Sequence, residues 1–212
     1  FEPICAQIAQ ACHACNLSLI WGANSPSTPL DAASPIDALC ARFRAQRVSG
    51  VFFVPDEQAD AHSENRNLLI ARALSAAGIA VVLLDRDVVS FPAQGPYDLV
   101  GIDNVDAGYQ QARHLLDVGC TRIHYVTRPG SLWTKSARIH GFRLALEEAG
   151  IGFTPDCVHT GDAGDPAFSR ALLRQKPDGI ACFHDPVAIQ LVQSFQHLKV
   201  AIPGHVKIIG LD

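Results

Sequence analysis

Short apolar runs rich in β-branched residues recur along this chain, separated by amphipathic stretches each long enough for one helix. That alternation constrains the fold more than any other feature. Apolar runs stand at 48–54, 80–84, 99–102, 122–126, 156–160, 179–183 and 206–210, with a further one at 17–21. Helical periodicity fills 2–14, 34–46, 66–77, 106–118, 136–149, 166–175 and 186–198. Ser34-Pro35 offers an N-cap and a first-turn proline, and Gly78 offers a stop. Parallel strands need a crossover between them, and a strand apolar on both sides needs a layer on each face. The expected fold is therefore α/β, with parallel sheets covered by helices on both sides.

Eight strands exceed what one compact sheet of 212 residues usually needs. A division near 102 gives two doubly wound parallel-sheet subdomains joined by a hinge, 1–102 and 103–212. The chain would cross between them at Asp103 and Asn104, with Asn104 or Asp106 capping the next helix. No internal repeat aligns the halves, so any symmetry is architectural.

Composition removes several function classes. The net charge of −4 offers no basic surface for nucleic-acid phosphates, so DNA contact by these residues alone is not expected. No apolar run approaches the roughly 18 residues of a membrane span. Seven cysteines, an odd number set mostly within apolar elements, read as buried hydrophobes in a reducing, cytoplasmic setting rather than a disulfide framework. Cys12 and Cys15 flank His13, but without a second pair this is helix packing, not half of a metal site. The chain contains no methionine, and the protein is expected to be longer at both ends.

The stretch 99–142 carries the most functional information. A strand and a polar loop lead into a helix, and loops after strands at one edge of a parallel sheet are where such folds hold small molecules. This loop region supplies Trp133 and the hydroxyls of Ser131, Thr134 and Ser136, then the guanidinium of Arg138. Trp133 could stack on a sugar ring or base, or simply pin the loop to a helix. Asp85 and Arg86 end another buried strand and could face a cleft or pair with each other. In Phe183-His184-Asp185-Pro186, Asp185 has a complete explanation as a helix cap, which outweighs ligand contact, while Phe183 and His184 could line a pocket.

Asp103-Asn104, Gly108-Tyr109, Gly119-Cys120-x-Arg122-Ile123 and Ser136-Ala137-Arg138-x-x-Gly141-Phe142 resemble the effector-binding core of lactose-repressor and purine-repressor transcription regulators. Arg47-Val48-Ser49-Gly50-Val51 and the closing Ile202-Pro203 with Val206 to Asp212 are similar to two further strands of that family. The resemblance implies a periplasmic-binding-protein-like fold of type I, incomplete at both ends and lacking the strand before Phe1. It also implies ligand contact by Arg138 and Asp212, with Phe1 at the cleft mouth. The protein would be a homodimer that reads operator DNA through a headpiece outside this chain.

No glycine-rich phosphate loop, nucleophile elbow or zinc-protease motif is present, and no carboxylates pair by spacing for acid–base work. No enzyme, cofactor or metal is expected. The function expected is sensing of a small polar effector, a sugar or sugar derivative. The competing reading is a periplasmic sugar-binding protein that feeds a transporter.

Overall fold

The computed structural model describes residues 2–22, 33–56, 61–130 and 133–211. The chain forms two compact units, 1–38 and 39–212. Helix α1 (Glu2–Ala14) lies in the first, and helix α2 (Ala33–Ala45) begins there. The strand expected at 17–21 does not form. Residues 17–22 have no regular structure, and Leu17, Ile20 and Trp21 are exposed. A strand exists only as part of a ladder, and no described residue pairs with this one. Helix α2 starts one residue before Ser34, so Ser34 is inside the first turn and not the cap.

The second unit holds every described strand. The first sheet has the order β1-β2-β3, all parallel, from β1 (Gly50–Phe53), β2 (Ala80–Leu84) and β3 (Asp98–Val100). Helix α3 (Ala61–Ala76) joins β1 to β2, and Gly78 after it takes the left-handed conformation a helix stop requires. Phe53 and Leu83, together with Ile70 and Leu74 of α3, are buried. Phe52, Val54 and Val100, pointing to the opposite side by the two-residue period, are exposed. Among the described residues, the apolar run at 48–54 is thus covered on one face, not on both as its composition implied.

The second sheet is built from β4 (Ile123–Thr127), β5 (Val158–Thr160), β6 (Gly179–Cys182) and β7 (Lys207–Ile209) in the order β5-β4-β6-β7. Helices α4 (Asn104–Asp117), α5 (Trp133–Glu148), α6 (Pro166–Arg174) and α7 (Asp185–His197) alternate with these strands. Alternate side chains go to opposite faces. Ile123, Tyr125 and Ala181 share a core with Leu115 of α4 and with Phe142 and Leu146 of α5. Val126, Ile180 and Cys182 share another with Leu172 of α6 and with Leu191 and Phe195 of α7. From β4 the chain moves outward to β5 and then returns past β4 to β6. The strand order therefore reverses between β4 and β6, and beyond the carboxyl ends of those strands lies the crevice such a reversal creates.

On the face of this sheet that carries Val126, His124 of β4 and His159 of β5 stack at 5.0 Å, with Nδ1 of His124 2.7 Å from Nε2 of His159. Burial lowers both pKa values; the charge of His124 lowers that of His159 further, while Asp178 and Asp156 act against these shifts. The folded chain then binds fewer protons than the unfolded chain at and below the ordinary histidine value of 6.5. Stability is full above that value and falls as pH drops through it. Melting curves between pH 7.5 and 5 should show a falling midpoint that the double substitution His124→Gln, His159→Gln flattens. An equal slope in both proteins would contradict this.

Candidate functional site

Arg138 lies one to two turns into α5, where its guanidinium is held on three sides. Its Nε donates to Asn104 Oδ1 at 2.8 Å, one Nη donates to the carbonyl of Phe183 at 2.6 Å, and the group sits 4.8 Å from the Phe183 ring centroid. Asn104, almost fully buried at the start of α4, is fixed in turn by donating to the Ile102 carbonyl at 3.2 Å. Neither Asn104 nor Asp106 caps α4. Asp103 does, accepting from the amides of Val105 and Asp106, because its extended backbone leaves the carboxylate facing the helix's free N–H groups. Asn104 is thereby released to orient the arginine.

The close fit of α4 against α5 puts these groups together. A Cβ on Gly108 would lie 1.9 Å from the Arg138 carbonyl oxygen, and one on Gly141 would lie 1.8 Å from that of Val105. The helices therefore approach backbone to backbone where Arg138 and Asn104 meet.

At the end of β2, Asp85 takes a left-handed backbone (φ 72°), and its amide donates to the Val100 carbonyl. Its carboxylate accepts from Arg86 Nε at 3.0 Å and Nη2 at 2.5 Å, so the two residues pair with each other. Burial raises the pKa of Asp85, opposed by the charge of Arg138. Burial lowers that of Arg86 to about 10, with Asp56 opposing and the cations Arg128 and Arg138 adding to the shift. Charges at the ends of β1, β2, β4 and the start of α5 thus share one electrostatic neighbourhood. Such a neighbourhood can orient a polar molecule through charge-assisted hydrogen bonds.

The remaining expected residues are placed as follows. Trp133 meets Phe91 edge to face at 5.9 Å, and Phe91 also lies 5.5 Å from His140. The Trp133 Nε1 is buried with no hydrogen-bond partner among the described residues. Thr134 and Phe183 are buried. Asp185 is exposed and is not the helix cap: the Nδ1 of His184 accepts from the Val187 amide, and Asp185 is the first helical residue. Its amide donates to the Leu211 carbonyl, and its carboxylate occupies the space a side chain at Gly210 would need. Phe1, Ser131 and Asp212 lie outside the described residues. Among the described residues, no three His, Cys, Asp or Glu side chains gather as a metal site would need.

Arg128 and Gln111 were not singled out from the sequence. Arg128 follows a strand in a loop whose length gives no register. Gln111 looks like a surface residue until its place on the buried stripe of Asn104, Gly108, Ala112 and Leu115 is noticed.

Residues 112–212 match the family model described as periplasmic binding protein-like domain. Over this segment, a little under half of its length, the chain is similar to that family. The chain is also similar to several transcription regulators. The chain is 29% identical over 173 residues to the HTH-type transcriptional regulator DegA of Bacillus subtilis (strain 168), a match covering 80% of this chain and 49% of that protein. The crystal structure of transcription regulator CcpA of Lactococcus lactis matches all of this chain and 73% of its own, with a TM-score of 0.75 at 22% identity. A LacI family transcriptional regulator from Enterococcus faecium, solved with bound ribose, covers 96% of this chain and 69% of its own, with a TM-score of 0.64 at 23% identity. The periplasmic binding protein-like fold and the likeness to lactose-repressor-type regulators, both expected from sequence, are borne out. The chain spans about half the length of the DegA protein it matches.

Proposed function

We propose that this chain is the effector-sensing core of a lactose-repressor-type transcription regulator, with lobes at 1–102 and 103–212 and their crossing at Asp103 and Asn104. The effector is a small polar molecule, a sugar or sugar derivative. Arg138 donates to it, Phe183 and Trp133 provide apolar walls, and Asp85 and Thr134 supply polar contacts, with Asp185 at the rim; the resemblance adds Asp212 and Phe1 as further ligand-contact positions. One observation carries the reading: the guanidinium of Arg138 is preset by Asn104 and Phe183 beside the crevice at the carboxyl ends of β4 and β6. A preset donor loses little freedom on binding, which is what a selective small-molecule site requires. The ribose bound to the Enterococcus faecium regulator supports sugar as the chemical class.

The protein acts as a cytoplasmic homodimer without catalysis, and a headpiece outside this chain reads the operator. The effector acts by binding one arrangement of the lobes more tightly than the other. The relatives are transcription regulators, which favours this reading over a transporter's periplasmic binding protein.

The test is a calorimetric titration of the full-length protein with D-ribose and a panel of mono- and disaccharides, alongside anisotropy of a labelled DNA fragment from its own promoter. At least one sugar should bind and shift DNA affinity about fivefold or more, the range of ordinary allosteric coupling. A sugar that binds and leaves DNA affinity unchanged would overturn the regulatory part of the proposal.

A further inference from the structure

The ends of β6 and β7 carry the groups that flank the site, yet their ladder stops short of them. The last paired residues are Ala181 and Ile209. One step further on, the carbonyls of Cys182 and Gly210 both accept from a single side-chain amide, Nε2 of Gln111 on α4, at 2.8 and 2.9 Å. Gln111 is almost fully buried and reaches strands 71 and 99 residues away in the chain.

Immediately after these carbonyls the two strands take up the site. Phe183 offers its carbonyl and ring to Arg138, and Leu211 accepts from the Asp185 amide. An amide nitrogen has two hydrogens in one plane, so donating both fixes the separation of the two acceptors as well as their direction. Gln111 stands in for the missing rung and ties both strand ends to the helix that carries Asn104.

The Oε1 of Gln111 is buried with no hydrogen-bond partner among the described residues. An apolar side chain of the same length would spare that oxygen but take the donor from the Cys182 and Gly210 carbonyls, so what the glutamine supplies is the pair of bonds to the two strand ends. We infer that Gln111 is a positioning residue for effector binding: it sets the spacing between the Phe183–Arg138 platform and residues 210 and 211. This rests on the effector-sensing reading and adds a residue to it that touches no ligand.

The test compares the full-length protein with Gln111→Met and Gln111→Glu by hydrogen–deuterium exchange, without ligand. Gln111→Met fills similar space and donates nothing, so exchange in peptides spanning 182–186 and 209–211 should quicken at least tenfold. Peptides from β4 and from the body of α5 should keep their protection. Gln111→Glu points a carboxylate at two carbonyls at neutral pH but donates one hydrogen bond once protonated. After correction for intrinsic rates, its excess exchange should therefore diminish as pH falls, and that of the methionine variant should not. Such a pH profile is foreign to a space-filling residue, and it remains readable if one variant folds poorly.

Unchanged exchange at both strand ends, or an increase spread evenly over the chain, overturns the inference. A D-ribose titration runs in parallel. If the sugar binds the unaltered protein, Gln111→Met should weaken it about tenfold, and equal affinity would refute a role in binding. If D-ribose fails to bind the unaltered protein, that counts against ribose as effector, and the exchange data decide on Gln111 separately.

Discussion

Alanine at Gly141 is expected to lower the thermal midpoint by about 10 °C and to loosen the whole α4–α5 pair. A methyl there meets backbone, not a yielding side chain: the Val105 carbonyl oxygen at 1.8 Å and the Tyr109 amide at 2.9 Å. Gly108 faces the same problem from the other side, with the Arg138 carbonyl at 1.9 Å. Neither contact can be relieved by a rotamer change, so the helices must separate along their length. Helix propensity would favour alanine by up to about 1 kcal/mol, and overpacking of this severity costs about 3 kcal/mol or more. The clash wins, and a deficit of roughly 2–4 kcal/mol corresponds to a shift of that order in a domain of this size. Gly152, with open space around its Cβ direction, serves as the control and should tolerate alanine. A Gly141→Ala protein melting with the wild type would mean that the helices do not meet as described.

Arg138→Met should cost the largest share of effector affinity of any single substitution, about 100-fold in Kd, or roughly 2.7 kcal/mol. The effect has two parts. The ligand loses a charged donor, and the Asn104 Oδ1 and the Phe183 carbonyl lose the partner that satisfied them. Lysine keeps the charge but lacks a planar fork able to serve Asn104 and Phe183 together, so Arg138→Lys should recover less than tenfold of the loss. Calorimetry with whichever sugar binds the unaltered protein measures both. Full affinity in the lysine protein would show that charge alone matters and that presetting by Asn104 does not.

These two expectations depend on the sequence to different degrees. The parallel sheets were legible because the two-residue and 3.6-residue periods alternate without mixing, and β4, β6 and α7 fall close to their expected positions. The segment at 17–21 has the composition of a strand and is not one, since composition reports burial and pairing only where a neighbouring strand exists. Caps were misplaced at α4, where Asn104 and Asp106 lie one and three residues past the true cap, and by one residue at α7. Several adjacent polar side chains can each reach the same free N–H groups, and only the backbone conformation at Asp103 and His184 selects between them.

Arg138 could be selected from its place after a site-facing loop and from its resemblance to a known motif. That it is held by Asn104 could not, because the two are 34 residues apart and meet only through a helix crossing. Gln111 was invisible for the same reason, its acceptors being carbonyls on strands that follow much later. The one-dimensional pattern determined which segments become helices and strands and that these layers stack, because local periodicity dictates which face must leave water. Tertiary structure alone decided which polar groups meet at the strand ends, because a hydrogen bond needs ångström-level placement that only the packed backbone supplies.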